Sequence, residues 1–282
     1  MATPSTALVL GNGGIAGLGW QIGMIAGLAD AGIDLRSADL VIGTSAGAVV
    51  GAQIRSKLST EELYKRQLGP LFAEIPNRLS VRQVARWALL ARTARSDTSA
   101  ARRVARASRG TSKIDPVLRL AAVSSRLPER NWPKRPLWIT AVDAHTGKLK
   151  VFDRDSHVTL AEAVNASCAI PFAWPAASVG GHTYIDGGVR SPMNLDLAKG
   201  YDRIVGLASN VLSGRRSGRI SNQLEHLGSA KVTVINPDEL CRKAIGPNEL
   251  DPTRVHDSAE CGRKQAADYV NEVRAVWPED SD

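Results

Sequence analysis

Residues 6–10 read TALVL, an apolar run suited to a buried strand, and the run ends on Gly11. From Gly19 the spacing turns helical through GWQIGMIAGLADAG and stops at Gly32. A second short run, ADLVIG, leads directly into TSAGAVVGAQIR, a helix of small residues. Ser59 and Glu62 then stand three apart, the spacing of a capping box that opens another helix. From Val81 to about Ala107 the pattern is helical again, with Val81, Val84, Ala85, Ala88 and Leu89 on one face.

Past Gly110 the alternation resumes. PLWITAVDA (136–144) and KLKVFD (148–153) predict strands joined by the turn HTG. LAEAVNASCA predicts a short helix ending at Pro171, and HTYIDGG a strand running into a glycine turn. DRIVGLAS and AKVTVINP add core strands, and a last helix is expected from Pro252 to Trp277. Strands and helices alternating in this way predict a three-layer α/β fold, a mainly parallel central sheet with helices on both faces. There is no internal repeat and no long linker. The expectation is therefore a single domain over 1–282, with 70–112 as a basic helical cap or insertion.

Charge sharpens that division. The chain carries a net +8, and the stretch from Arg78 to Arg109 holds nine arginines against one acid, Asp97. That stretch alone accounts for the whole excess, since acids and bases balance elsewhere. A local surplus of this kind faces a polyanion. Trp87 is the lone aromatic within it, too few for base stacking, so nucleic acid is not expected as a partner. Trp87, Leu89 and Leu90 beside arginines fit an interfacial helix on anionic lipid. The expectation is a helix pair over 78–109 making peripheral contact with an anionic membrane.

No apolar stretch approaches the roughly 20 residues of a spanning helix, and the N-terminus lacks the basic start of a signal peptide. Cys168, Cys241 and Cys261 are odd in number and far apart, which predicts reduced thiols in a cytoplasmic protein, peripheral at most at the inner membrane surface. They form no metal spacing, and neither a metal nor a cofactor is expected.

Three motifs carry the candidate chemistry. Gly43-Thr44-Ser45-Ala46-Gly47 is G-x-S-x-G between a strand and a helix, the pattern of a nucleophile elbow. Alone it is equally a tight turn. Gly11-x-Gly13-x-x-Ala16 satisfies a dinucleotide fingerprint, which keeps a nucleotide-dependent oxidoreductase as an alternative. That reading lacks the acid expected at the end of the second strand, which runs instead into Ser45. A glycine-lined strand end beside a serine suits an oxyanion hole better. Asp186, at a strand end before Gly187 and Gly188, can act as the base of a serine if it is desolvated and within reach. His226 or His256 could follow an acid in an α/β-hydrolase order, but neither lies in a catalytic-loop context.

In this order the pieces resemble the patatin-like phospholipases, lipid acyl hydrolases with a Ser-Asp dyad. The resemblance covers Ala7 to about Arg55 and Thr140 to about Asn194, including the A-S-x-A-x-P stretch from Ala166 to Pro171. It implies Ser45 as nucleophile, Asp186 as general base and an oxyanion hole from Gly13 and Gly14, with Asn12. The substrate it implies is a lipid ester of phospholipase A or lysophospholipase type. The chain departs from the pattern at Asn12, which interrupts the glycine run, and at Ala16, where a cation is usual. A catalytically silent lipid-binding homologue is the alternative those departures raise.

Overall fold

A computed structural model describes residues 4–69, 74–211 and 213–277. The start of the 70–112 segment and both chain ends (1–3 and 278–282) lie outside these residues. Strand β1 (Thr6–Leu10) leads into α1 (Gly14–Asp30), and β2 (Leu40–Thr44) into α2 (Ala46–Ile54). Three helices, α3 (Thr60–Leu68), α4 (Val81–Arg92) and α5 (Asp97–Ser108), precede α6 (Pro116–Ser125). The hairpin of β3 (Leu137–Asp143) and β4 (Leu149–Phe152) is followed by α7 (Leu160–Ser167), then β5 (Ala177–Val179) and β6 (His182–Asp186). The chain ends through β7 (Arg203–Leu207), α8 (Ile220–Leu224), β8 (Lys231–Ile235), α9 (Glu239–Ile245) and α10 (Val255–Val276).

The sheet runs β5-β6-β3-β2-β1-β7-β8, with β4 also on β3. From β3 to β8 every pair is parallel, and the β4, β6 and β5 pairings are antiparallel. The first strand thus lies at the centre, Leu8 opposite Val41 on one side and Val205 on the other. Alternate residues of β1 feed two cores. Leu8 and Leu10 pack with α1, α2, α7 and α10, whereas Ala7 and Val9 pack with Leu195, Ala198 and Leu227. The long helices gather on one face, and shorter helical turns cover the other. Trp20 Nε1 donates to Gln265 Oε1 at 2.7 Å and locks α10 along α1.

The Ser59–Glu62 capping box forms as expected. The basic segment is two helices, broken at Thr93–Ser96, which is the helix pair expected over 78–109. On its apolar face Val81 is 82% exposed and Leu89 63%. A repeat shows that a helix has a face, but not what meets it.

The cysteine expectation is corrected. Cys241 and Cys261 form a disulfide joining α9 to α10, and only Cys168 is free. Asp238 converges on the same pair, a proximity hidden by the separation of 20 residues between the two cysteines. With both sulfurs in the disulfide, neither is a thiolate ligand. Among the described residues no helix is long and apolar enough to cross a membrane.

Candidate active site

Ser45 occupies the single position between β2 and α2, with φ 55° and ψ −117°. That is left-handed territory, costly for a side-chain-bearing residue and held only by its surroundings. Its N–H donates to Ser167 Oγ at 2.8 Å, and its carbonyl accepts from Cys168 Sγ at 3.3 Å, so α7 clamps the turn. Gly47 sits where any Cβ would overlap the Leu10 carbonyl, which lets α2 start directly against the end of β1. A Cβ on Gly43 would come 2.6 Å from the Gly47 carbonyl oxygen. The two glycines flanking the serine therefore permit the turn, and the Ser45 residue is 3% exposed.

Sheet register brings the acid alongside. β3 pairs with β2 as far as Thr140, opposite Thr44, and its next residue, Ala141, is opposite Asp186 of β6. Successive rungs thus place residue 186 beside the strand end that carries residue 45. Behind them Asn194, itself at φ 53°, donates through Nδ2 to Thr44 Oγ1 at 3.0 Å, while Thr44 and Thr140 share a 2.8 Å hydroxyl contact. Asp186 Oδ1 accepts from the Gly188 N–H at 2.7 Å, and Oδ2 is buried with no closed hydrogen bond. Burial pushes this carboxyl up to about 7, against the Ser45 hydroxyl, the Gly188 amide and the Arg119 charge, which favour its ionised form.

The glycine loop faces the same space. Gly11 N–H donates to Leu207 O and Asn12 N–H to Pro192 O, each at 2.8 Å, tying the loop to β7 and to the chain beyond β6. The next two amides, of Gly13 and Gly14, have no acceptor among the described residues. They sit at the N-terminus of α1, where helix geometry leaves amides unspent and the dipole favours an anion. Gly14 has φ +59°, and a Cβ there would strike the Glu249 carbonyl. Asn12 contributes a side chain to the cavity and no backbone donor, because its amide is committed to Pro192.

A cavity of about 450 Å³ gathers Gly13, Gly14, Ser45 and Asp186. Val84, Trp87 and Ala88 of α4 form an apolar wall, and residues 246–250, between α9 and α10, form another. No histidine among the described residues lines it. Sequence reasoning missed Ser167, Asn194 and the 246–250 wall. Ser167 had a signal in the A-S-x-A-x-P stretch, but the other two had none. The arrangement offers a strained serine, a partly protonated carboxylate and two unspent amides around one space, the parts of an acyl-transfer site.

The family model described as patatin-like phospholipase matches residues 8–199. Among solved structures, VipD from Legionella pneumophila is similar at a TM-score of 0.44 and 15% identity, covering 96% of this chain and 67% of that one. The type III effector protein ExoU is similar at a TM-score of 0.41 and 14% identity, covering 96% of this chain and 53% of that one. The chain therefore spans about two thirds and about half of these two proteins. A search of curated proteins gives no significant match.

Proposed function

The chain belongs to the patatin-like phospholipase family, and from that premise we propose that it hydrolyses lipid esters through a Ser45–Asp186 dyad. Asp186 Oδ2 takes the Ser45 proton as Oγ attacks the ester carbonyl. Gly13 and Gly14 amides receive the tetrahedral oxyanion. As the intermediate collapses, Asp186 returns the proton to the leaving alcohol. Water, deprotonated by Asp186, then attacks the acyl-enzyme and regenerates Ser45. Every step uses groups already lining the cavity. The observation that carries the reading is the β3 register, which sets the buried Asp186 carboxylate beside the strained serine. The apolar α4 wall suits an acyl chain and supports a phospholipase A or lysophospholipase substrate.

The base works only when ionised, so the raised pKa of Asp186 fixes the pH response. The ordinary carboxyl lies near 4, and burial moves this one to about 7. The expected kcat/KM therefore falls about tenfold per pH unit below about 7 and levels off above it. Measurement of p-nitrophenyl ester hydrolysis from pH 5 to 9 tests this. A flat profile would remove Asp186 as the base.

The cap supports a second element of the proposal, docking on anionic membranes. Arg86, Arg102, Arg103 and Arg106 line a groove of about 540 Å³ between α4 and α5. None of the four forms an ion pair with a carboxylate among the described residues. Exposed Val81 and Leu89 stand on the same helix pair. Such a face inserts apolar side chains while guanidiniums meet lipid phosphates. Changing Arg82, Arg102 and Arg106 to Glu is expected to abolish flotation with phosphatidylglycerol vesicles and leave hydrolysis of a short soluble ester intact. Unchanged flotation would reject this surface.

A further inference from the structure

Arg119 of α6 is 3% exposed, yet its Nε and Nη1 have no hydrogen-bond partner among the described residues. Its guanidinium stacks on Trp174, with Cζ 4.0 Å from the ring centroid. The neighbouring carboxylate, Glu74, is taken by Arg126 in a two-pronged pair. Arg119 itself thus has no carboxylate within ion-pair distance among the described residues. An uncompensated buried charge costs folding stability, and an orphaned donor calls for an explanation.

Position supplies one. Arg119 lines a small cavity of about 20 Å³ together with Ser45, Gly14 and Cys168. That cavity touches the nucleophile from the side of the unspent amides, and Asp186 does not line it. We propose that Arg119 is the fixed positive charge of the oxyanion site, placed so that negative charge moves toward it during acyl transfer. The inference rests on the Ser45–Asp186 reading. When the Ser45 proton passes to Asp186, the carboxylate becomes neutral and the charge reappears on the substrate oxygen beside Gly13 and Gly14. Asp186 thereby loses an attraction that is the weakest of those acting on it, and the oxygen on the Arg119 side gains one. A cation that favours the later arrangement lowers the barrier without tightening ground-state binding.

The charge is present whenever the enzyme works. Burial lowers the Arg119 pKa only to about 10. The adjacent Cys168 thiol is pushed up to about 11, again by burial, and stays neutral. The other charged groups around the dyad are Glu74 and Arg126 beside Arg119, and Arg78, Arg215 and Glu249 in the larger cavity. The Trp174 stack and the burial of the side chain hold the guanidinium in place before substrate arrives, so no reorganisation is spent at the moment of reaction.

The test compares Arg119→Gln with Arg119→Lys, each normalised by titrating Ser45 with a fluorophosphonate and intact-mass readout. Arg119→Gln is expected to lower kcat by about 100-fold with KM within roughly threefold, and Arg119→Lys to retain kcat within about tenfold. Loss of the cation also moves the acid limb of the pH profile upward in Arg119→Gln and not in Arg119→Lys, a shift that a packing role does not produce. Arg119→Met adds a stability readout, with its melting temperature expected to equal or exceed the wild type. Equal losses in Gln and Lys, or a rise in KM with kcat preserved, overturns the inference. If Arg119→Met does not fold, the Gln and Lys pair decides alone. Wild-type hydrolysis indifferent to Ser45→Ala sinks the dyad reading itself. Hydrolysis that needs Ser45 and ignores Arg119 sinks only this inference.

Discussion

Ser45→Ala and Asp186→Asn are each expected to lower kcat/KM on a medium-chain p-nitrophenyl ester by about 10⁴-fold, and the double variant by no more than either alone. On the dyad reading the serine and the carboxylate act as one unit, so removing either removes the step. Asparagine keeps Oδ1 available to the Gly188 amide, preserving the turn. It puts an N–H₂ group where Oδ2 must accept the Ser45 proton. The same variant should be more thermostable than wild type at pH 8. The folded carboxyl titrates near 7 and the unfolded one near 4, so folding opposes the charged form and wild-type stability falls as pH rises from about 4 through about 7. Asparagine has no charge to bury, and its advantage should shrink as pH falls toward 4. His226→Ala and His256→Ala serve as controls and should keep full activity, since neither residue lines the cavity. Retention of more than a tenth of wild-type activity in Asp186→Asn would falsify the dyad.

Gly47→Ala is expected to be the most disruptive single methyl group near the site. Its Cβ would overlap the Leu10 carbonyl, a backbone group fixed in the central strand. Neither side can give without moving β1 against α2 and lengthening the Gly47 N–H to Gly11 O bond, now 3.1 Å. Overpacking of this kind costs about 3 kcal/mol. In a domain of this size that lowers Tm by roughly 6–12 °C. Because the displaced strand end carries the glycine loop, fluorophosphonate labelling of Ser45 should slow in the folded fraction as well. Gly69→Ala, at φ −85° with only ordinary contacts around an added Cβ, is the matched control. A Gly47→Ala melting temperature within 2 °C of that control would show that the elbow can yield.

Ser45, Asp186 and the glycine loop were legible because each stands at a strand end among glycines, where the backbone requirement is written in residue type. Their order along the chain added what no single motif carries. Arg119 was not legible. In PVLRLAAVSS it looks like any arginine on an amphipathic helix, and its meaning lies in a Trp174 stack and two partnerless nitrogens that only tertiary packing reveals. Asn194 follows a turn and reads as a turn residue, although it ties β2 to β3. The Cys241–Cys261 bridge was hidden by the odd cysteine count and the distance along the chain. In the 78–109 segment, composition exposed both the charge surplus and a helix pair, but the position of the break at Thr93–Ser96 only the structure supplied.

The position of β1 has a consequence for how the protein is made. It precedes every other described strand along the chain, and it ends at the centre of the sheet between β2 and β7. One of its edges stays open until Arg203–Leu207 has been synthesised, and the face of α1 that packs on α10 waits for that helix. The Gly11 amide, which anchors the glycine loop, waits for the Leu207 carbonyl. Every motif of the candidate site is therefore translated before the strand that closes the site around it. The nascent chain carries an apolar strand edge of the kind that recruits other strands, for nearly two hundred residues of elongation. Assembly of the candidate site and burial of that edge are one late event.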